Sequence, residues 1–265
     1  MPVPADLPRV LDAPRSAWRS SSVEVYRWDR FPDILIVDCA SFAVQDRMFT
    51  RLAYFLEKRG YSGRLLVNSQ LTGRHGWNAH DYGAAGLAAF FTAAQASSFP
   101  LNPEEMAVRR LSLDEGIILA SRDGYVAGRG GLLGISRSSS RIERELLLTH
   151  ESFHGIFFSS AEYRQFCQEL WDSLSPEIKS FYETFLDSLG YDISTPTLVV
   201  NEFQAYLMQQ PLPYAAAYFK RFLAWFQGPG GENAVDADSL TATARELDSY
   251  LQATFGLRAG ETIGH

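Results

Sequence analysis

The run His150-Glu151-Ser152-Phe153-His154 places two imidazoles four residues apart in a 265-residue chain with five histidines. On an α-helix, positions i and i+4 share a face, so both rings can reach one metal ion. Glu151 lies one step around from His150, close enough to hold a water on that ion without ligating it. Catalytic zinc takes three protein ligands and leaves one position for water. It lowers the pKa of that water to about 7, and a neighbouring carboxylate can then take the proton. Two histidines do not complete such a set. Glu202, in Asn201-Glu202-Phe203-Gln204-Ala205 on a later expected helix, offers the third ligand.

These two motifs together resemble the gluzincins, zinc metallopeptidases in which His-Glu-x-x-His is followed by Asn-Glu-x-x and a small residue on a second helix. The resemblance implies that His150, His154 and Glu202 hold one Zn2+ ion. It also implies that Glu151 is the general base of peptide-bond hydrolysis through a metal-activated water, the substrate being a peptide or protein. A small Ala205 lets the two helices approach across the metal, and Gly155 is expected to do the same from the other helix. Tyr206 stands where thermolysin-like members carry an acidic partner for a zinc histidine, so another carboxylate or carbonyl must fill that role. In this respect the chain looks nearer to the anthrax lethal factor type. Hydrolysis also needs a donor to the oxyanion. Tyr191, in Gly190-Tyr191-Asp192, is the first candidate, with Tyr206, Tyr214 and His80 as alternatives. Two other classes compete: a zincin-like metal-binding or interaction module without catalysis, and a helical interaction domain without metal.

The elements that must carry these residues are legible from periodicity. Residues Val23–Trp28 and Asp33–Asp38 read as strands, and Ser41–Lys58 as an amphipathic helix ended near Gly60. A further short strand is expected over Gly63–Asn68, completing a βαβ unit. Residues 70–112 read as an insertion with a helix over Tyr82–Ala96, where Phe90-Phe91 are core, and a short helix after Pro103. Within it, Asn78 or Asp81 is expected to cap the helix, leaving His75 and His80 on the surface; the competing reading brings the loop over the cleft. Asp123-Gly124 between two β-rich runs, Gly116–Ser121 and Tyr125–Ser136, signals a hairpin whose outer strand would border the substrate. Ser140-Arg141-Ile142-Glu143 is a capping box, and it opens a helix with an apolar face of Ile142, Leu146, Leu147 and Phe153. Arg137–Arg141 reads as a solvated approach to that helix. Helices follow over Ala161–Leu174, Pro176–Leu189, Pro196–Gln209, Tyr214–Phe226 and Asp238–Phe255, interrupted at Gly228-Pro229-Gly230-Gly231-Glu232.

The expected fold is therefore α+β and zincin-like. An extended or weakly ordered arm (1–22) precedes an N-terminal mixed-sheet lobe (23–160) with a backing helix and the active-site helix. An all-helical C-terminal lobe (161–265) carries the third ligand. The composition, 46% hydrophobic with a net charge of −7, suits a globular core and argues against general nucleic-acid binding, which needs a basic surface. No stretch of 18 uninterrupted apolar residues is present, so no membrane span is expected. The first residues do not read as a signal peptide, which makes the cytoplasm the default compartment; a chain whose signal had been removed would read the same and be extracytoplasmic. Cys39 and Cys167, the two cysteines, read as buried thiols, with a single disulfide between them as the alternative.

Overall fold

Ile34–Cys39 and Gly131–Ser136 are buried at every position, as strands covered on both faces must be. They lie side by side at the centre of a five-stranded sheet. The computed structural model describes residues 1–227 and 235–261, so the Gly228–Glu232 interruption lies outside the described residues. In chain order the first elements are β1 (Val3–Ala5), α1 (Leu7–Asp12), β2 (Val23–Trp28), β3 (Ile34–Cys39) and α2 (Phe42–Leu56). There follow α3 (Asn68–Leu71), β4 (His80–Gly83), α4 (Ala84–Ala96), α5 (Pro103–Asp114), β5 (Ile118–Ser121), β6 (Gly124–Ala127) and β7 (Gly131–Ser136). The rest is helical: α6 (Arg141–Ser159), α7 (Ala161–Ser173), α8 (Pro176–Leu189), α9 (Pro196–Met208), α10 (Ala215–Tyr218), α11 (Lys220–Gln227) and α12 (Ala237–Phe255).

The sheet order is β1-β2-β3-β7-β4. β3 and β7 are parallel, with Ile36 opposite Leu133, while β4 runs antiparallel to β7, with Asp81 opposite Leu133. Alternation then sorts the side chains. Leu35, Val37 and Leu132 face α2, α4 and α5, whereas Ile34, Ile36, Leu133 and Ile135 face α6 and the C-terminal helices. This is a mixed α+β architecture with one helical layer on each side of the sheet.

Several expectations change. Residues 1–22 are not a weakly ordered arm: β1 pairs with β2, and Leu7, Val10 and Leu11 of α1 are buried. Gly63–Asn68 forms no strand. The place beside β3 is taken by β7, whose apolar run buries completely, while Val67 stays exposed. The segment 70–112 is not merely inserted, since it supplies the edge strand β4. The Asp123-Gly124 hairpin forms, but β5 and β6 make a separate two-stranded sheet, and the second run breaks at Gly128–Gly130 before β7 joins the main sheet. A Cβ on Gly130, whose φ is +70°, would lie within 1.8 Å of the Asp33 carbonyl oxygen, which makes glycine obligatory at that break. The helix expected over Tyr214–Phe226 is divided into α10 and α11. Cys39 and Cys167 are buried free thiols.

Candidate metal centre

Ser140 opens α6, its hydroxyl accepting from the Glu143 N–H while the Glu143 carboxylate accepts from the Ser140 N–H. Not all of the expected apolar face is core. Ile142 and Leu146 are exposed, and Leu146 with Leu147 lines a pocket of about 320 Å³ that also contains His150, Glu151, Tyr191 and Tyr206. Further along α6, His150, Glu151 and His154 are buried. Gly155 serves the sheet rather than a helix contact: a Cβ there would meet Ile34, Leu133 and Trp28. The helix therefore lies close under β3 and β7.

Three ligand atoms converge. His150 Nε2 and His154 Nε2 are 3.0 Å apart, and Glu202 Oε2, from α9, lies 3.7 Å from the first and 3.8 Å from the second. Tetrahedral ligands each about 2.0–2.2 Å from one ion are separated by about 3.3–3.6 Å; the two imidazole nitrogens are closer than that and the carboxylate oxygen slightly farther, so small side-chain shifts would let the three atoms hold one ion. Glu202 Oε2 and Glu151 Oε2 are buried with no hydrogen-bond partner among the described residues. Ionised, a buried carboxylate with an unpaired oxygen costs several kcal/mol, and a cation at the centre of the triangle would offset it; without one, Glu202 keeps its proton up to about pH 8 and is hydrogen-bonded by Tyr191. The two-imidazole, one-carboxylate donor set suits zinc and its neighbours in the first transition row.

Outer contacts orient the rings. The Nδ1–H of His150 donates to Gln209 Oε1 at 3.1 Å, which turns the Nε2 lone pair toward the triangle. His154 Nδ1 faces Asp81 Oδ2 at 3.5 Å, and Asn201 Nδ2 donates to the same oxygen at 3.1 Å. Gln209 and Asp81 are thus the polar groups that face the outer ring nitrogens of His150 and His154. Burial holds the His150 pKa down at about 4, which keeps the ring neutral and able to ligate. Burial lifts the Glu202 carboxyl to about 8, against the pull of His154. Glu151 is raised well above the usual carboxylate range by burial, then by Asp81, Glu202 and Glu57.

The oxyanion candidates separate by position. The Tyr191 hydroxyl lies 3.4 Å from that of Tyr206, and both residues line the pocket; the Tyr206 ring packs edge-on against His150. Tyr214 is 63% exposed and is not among the residues lining the pocket. His80 is excluded: it points with Tyr82 to the α2 face of the sheet, is buried rather than on the surface, and bonds the Tyr82 hydroxyl at 2.8 Å. His75 is exposed and pairs with Asp46 at 2.6 Å. Neither Asn78 nor Asp81 caps α4, whose N-cap is Gly83. Instead residues 75–79 line the metal pocket, and Asp81 turns to His154. Arg137 is not solvated. It binds Asp38 at 2.6 Å and the carbonyls of Val10 and Ala13, which ties α1 to the start of α6.

Sequence reasoning missed Asp81 and Gln209 as partners of the two imidazoles. Period-two alternation through His80-Asp81-Tyr82 would have set Asp81 apart from its neighbours. Gln209 lies two turns beyond Glu202 on the same side of the helix. No protein-family model, curated protein or solved structure matches the chain. No helix among the described residues is long and apolar enough to cross a membrane.

Proposed function

We propose that the chain is a zinc-dependent metallopeptidase of the gluzincin type, with a zincin-like arrangement around α6. The observation that carries this reading is the buried triangle of His150 Nε2, His154 Nε2 and Glu202 Oε2, with the unpaired Glu151 carboxylate beside it. His150, His154 and Glu202 would hold the ion. Zinc there supplies Lewis acidity, which acidifies water and polarises a carbonyl.

The chain's own residues supply the rest. Glu151, raised in pKa and buried, takes a proton from the attacking water and returns it to the leaving amine. Tyr191, in the wall of the same pocket, would donate to the oxyanion. β4 supports the reading at the level of architecture. It is an antiparallel edge strand beside the helix, and Ala84 N–H donates to Gly130 O, so alternation sets the backbone of Asp81 and Gly83 on the outer edge, open to an extended peptide. This edge is β4 and not the expected hairpin.

The decisive experiment measures zinc by elemental analysis and peptide cleavage in the same preparation. Stoichiometric zinc with cleavage that is lost in Glu151→Gln is the expected result. Zinc without cleavage reduces the protein to a binding module. Absence of zinc after reconstitution sinks the metal reading.

A further inference from the structure

The outer edge of β4 borders a cavity of about 690 Å³, lined by Asp81, Gly83 and Ala85 from the strand and α4, and by Phe158, Leu198 and Val200 from α6 and α9. Asp81 also lines the metal pocket, so the two spaces adjoin at the residue that faces His154.

Two rulers measure the step from the ligands to this cavity. Phe158 lies one helical turn beyond His154 on α6, about 6 Å along the axis, and the two rings stack with centroids 6.5 Å apart. Gly83 lies two residues beyond Asp81 on β4, about 6.8 Å at the antiparallel strand rise. The rulers converge, because a Cβ on Gly83 would fall 2.8 Å from the Phe158 ring. The step is therefore the spacing between alternate residues of an extended chain, whose side chains share one face.

Tyr82 packs on the α2 face of the sheet, so Asp81 and Gly83 take the α6 face. In an antiparallel pair, the side chain directly opposite Gly83 falls on that same face. Glycine places no side chain of its own there, which leaves the wall of Phe158, Leu198 and Val200 to the incoming residue. Phe158 and Leu198 are half-buried and so accessible from the cavity. The charged groups around it are committed or at the rim. Glu57 accepts from Trp77 Nε1, Arg164 donates to the Phe157 and Phe158 carbonyls, and Arg129 is exposed. An apolar wall with its charges already paired suits an uncharged, apolar group.

We propose that this cavity sets the specificity of cleavage. A peptide lying antiparallel along β4 places a large apolar side chain opposite Gly83, two residues from the one opposite Asp81, and that side chain decides which bond meets the metal. This rests on the metallopeptidase reading above and names the substrate class of the same site.

The test uses the full chain loaded with zinc and a peptide library whose products are read by mass spectrometry. One position within two residues of the cleaved bond should be occupied by Phe, Trp, Leu or Met. Replacing that residue by Ala in a matched peptide should lower kcat/KM by about 10-fold or more, the discrimination a hydrophobic pocket supplies. Leu198→Trp fills the cavity and should erase this ratio with zinc content unchanged. Thr197→Trp should act in the same direction from an exposed position on the cavity wall, where a large side chain does not threaten folding. Binding of the two peptides to Glu151→Gln, which does not consume them, should favour the bulky one. Cleavage without this preference, or a preference that Leu198→Trp and Thr197→Trp both leave intact, overturns the proposal while the metallopeptidase reading stands. Protein that takes up no zinc, or that cleaves no peptide above the Glu151→Gln level, overturns both.

Discussion

Glu151 and Glu202 have the same chemistry and different tasks, and position separates them. Glu202 Oε2 stands within 3.8 Å of both imidazole Nε2 atoms, whereas Glu151 is beside the triangle with an unpaired oxygen. Glu151→Gln should therefore keep zinc and lower kcat by about 10²–10⁴-fold, the range for a lost general base; zinc analysis and peptide hydrolysis on one sample check both halves. The outer partners should act on the metal instead. Asp81→Asn and Gln209→Ala should each weaken zinc binding about 10–100-fold, as measured by competition with a chelating dye. A loss of activity in these variants with unchanged affinity would mean that Asp81 and Gln209 do not orient the ligating rings.

At the scale of elements, β7 is where the two halves of the site are joined, and its glycines test that separately on each face. A Cβ on Gly131 would lie 2.6 Å from the Tyr82 carbonyl oxygen and 2.8 Å from the Phe158 ring. Gly131→Ala must push β4 outward, and Asp81 with it. The expected cost is about 1–3 kcal/mol, accompanied by weaker zinc binding. On the other face, a Cβ on Gly134 meets the Phe49 ring at 2.7 Å, a contact remote from the ligands. Gly134→Ala should lower the melting temperature and leave zinc affinity unchanged. Thermal unfolding and metal titration of the pair distinguish a strand that positions the site from one that only completes the sheet.

At the scale of the whole molecule, the buried acids link stability to pH and metal. Without metal, Glu202 holds its proton up to about pH 8, while the same group in the unfolded chain releases it near 4.5. Between those values the folded state binds more protons, so stability falls as pH rises. Glu57 and Glu151, also raised, act in the same direction. His150, depressed to about 4 from 6.5, works oppositely, with stability lost as pH falls below 6.5, so pH 6.5 to 8 isolates the acids. The metal-free protein should lose melting temperature across that window, and saturating zinc should flatten the slope by keeping Glu202 ionised. Zinc at about 100 times its Kd should also add about 2.7 kcal/mol, or about 5–10 °C for a chain of this size. Denaturation with and without chelator at pH 6.5 and 8 measures both effects.

The local elements could be read from the sequence because their signals are local. The Ser140 capping box, the i, i+4 histidine spacing and the apolar runs of β3 and β7 depend on neighbours a few residues away. The motif named His150, Glu151 and His154 and pointed to Glu202 before any distance was available. Tertiary structure alone decided which strand lies beside β3, that β4 comes from the segment read as an insertion, and that Asp81 faces α6 while His80 turns away. Those outcomes depend on competition among distant segments for the same sheet edge and on a pleat whose register is set by the partner strand. The isolated antiparallel bridge between Lys58 and Tyr191 belongs with them, since it links residues 133 positions apart by backbone pairing that carries no side-chain signature.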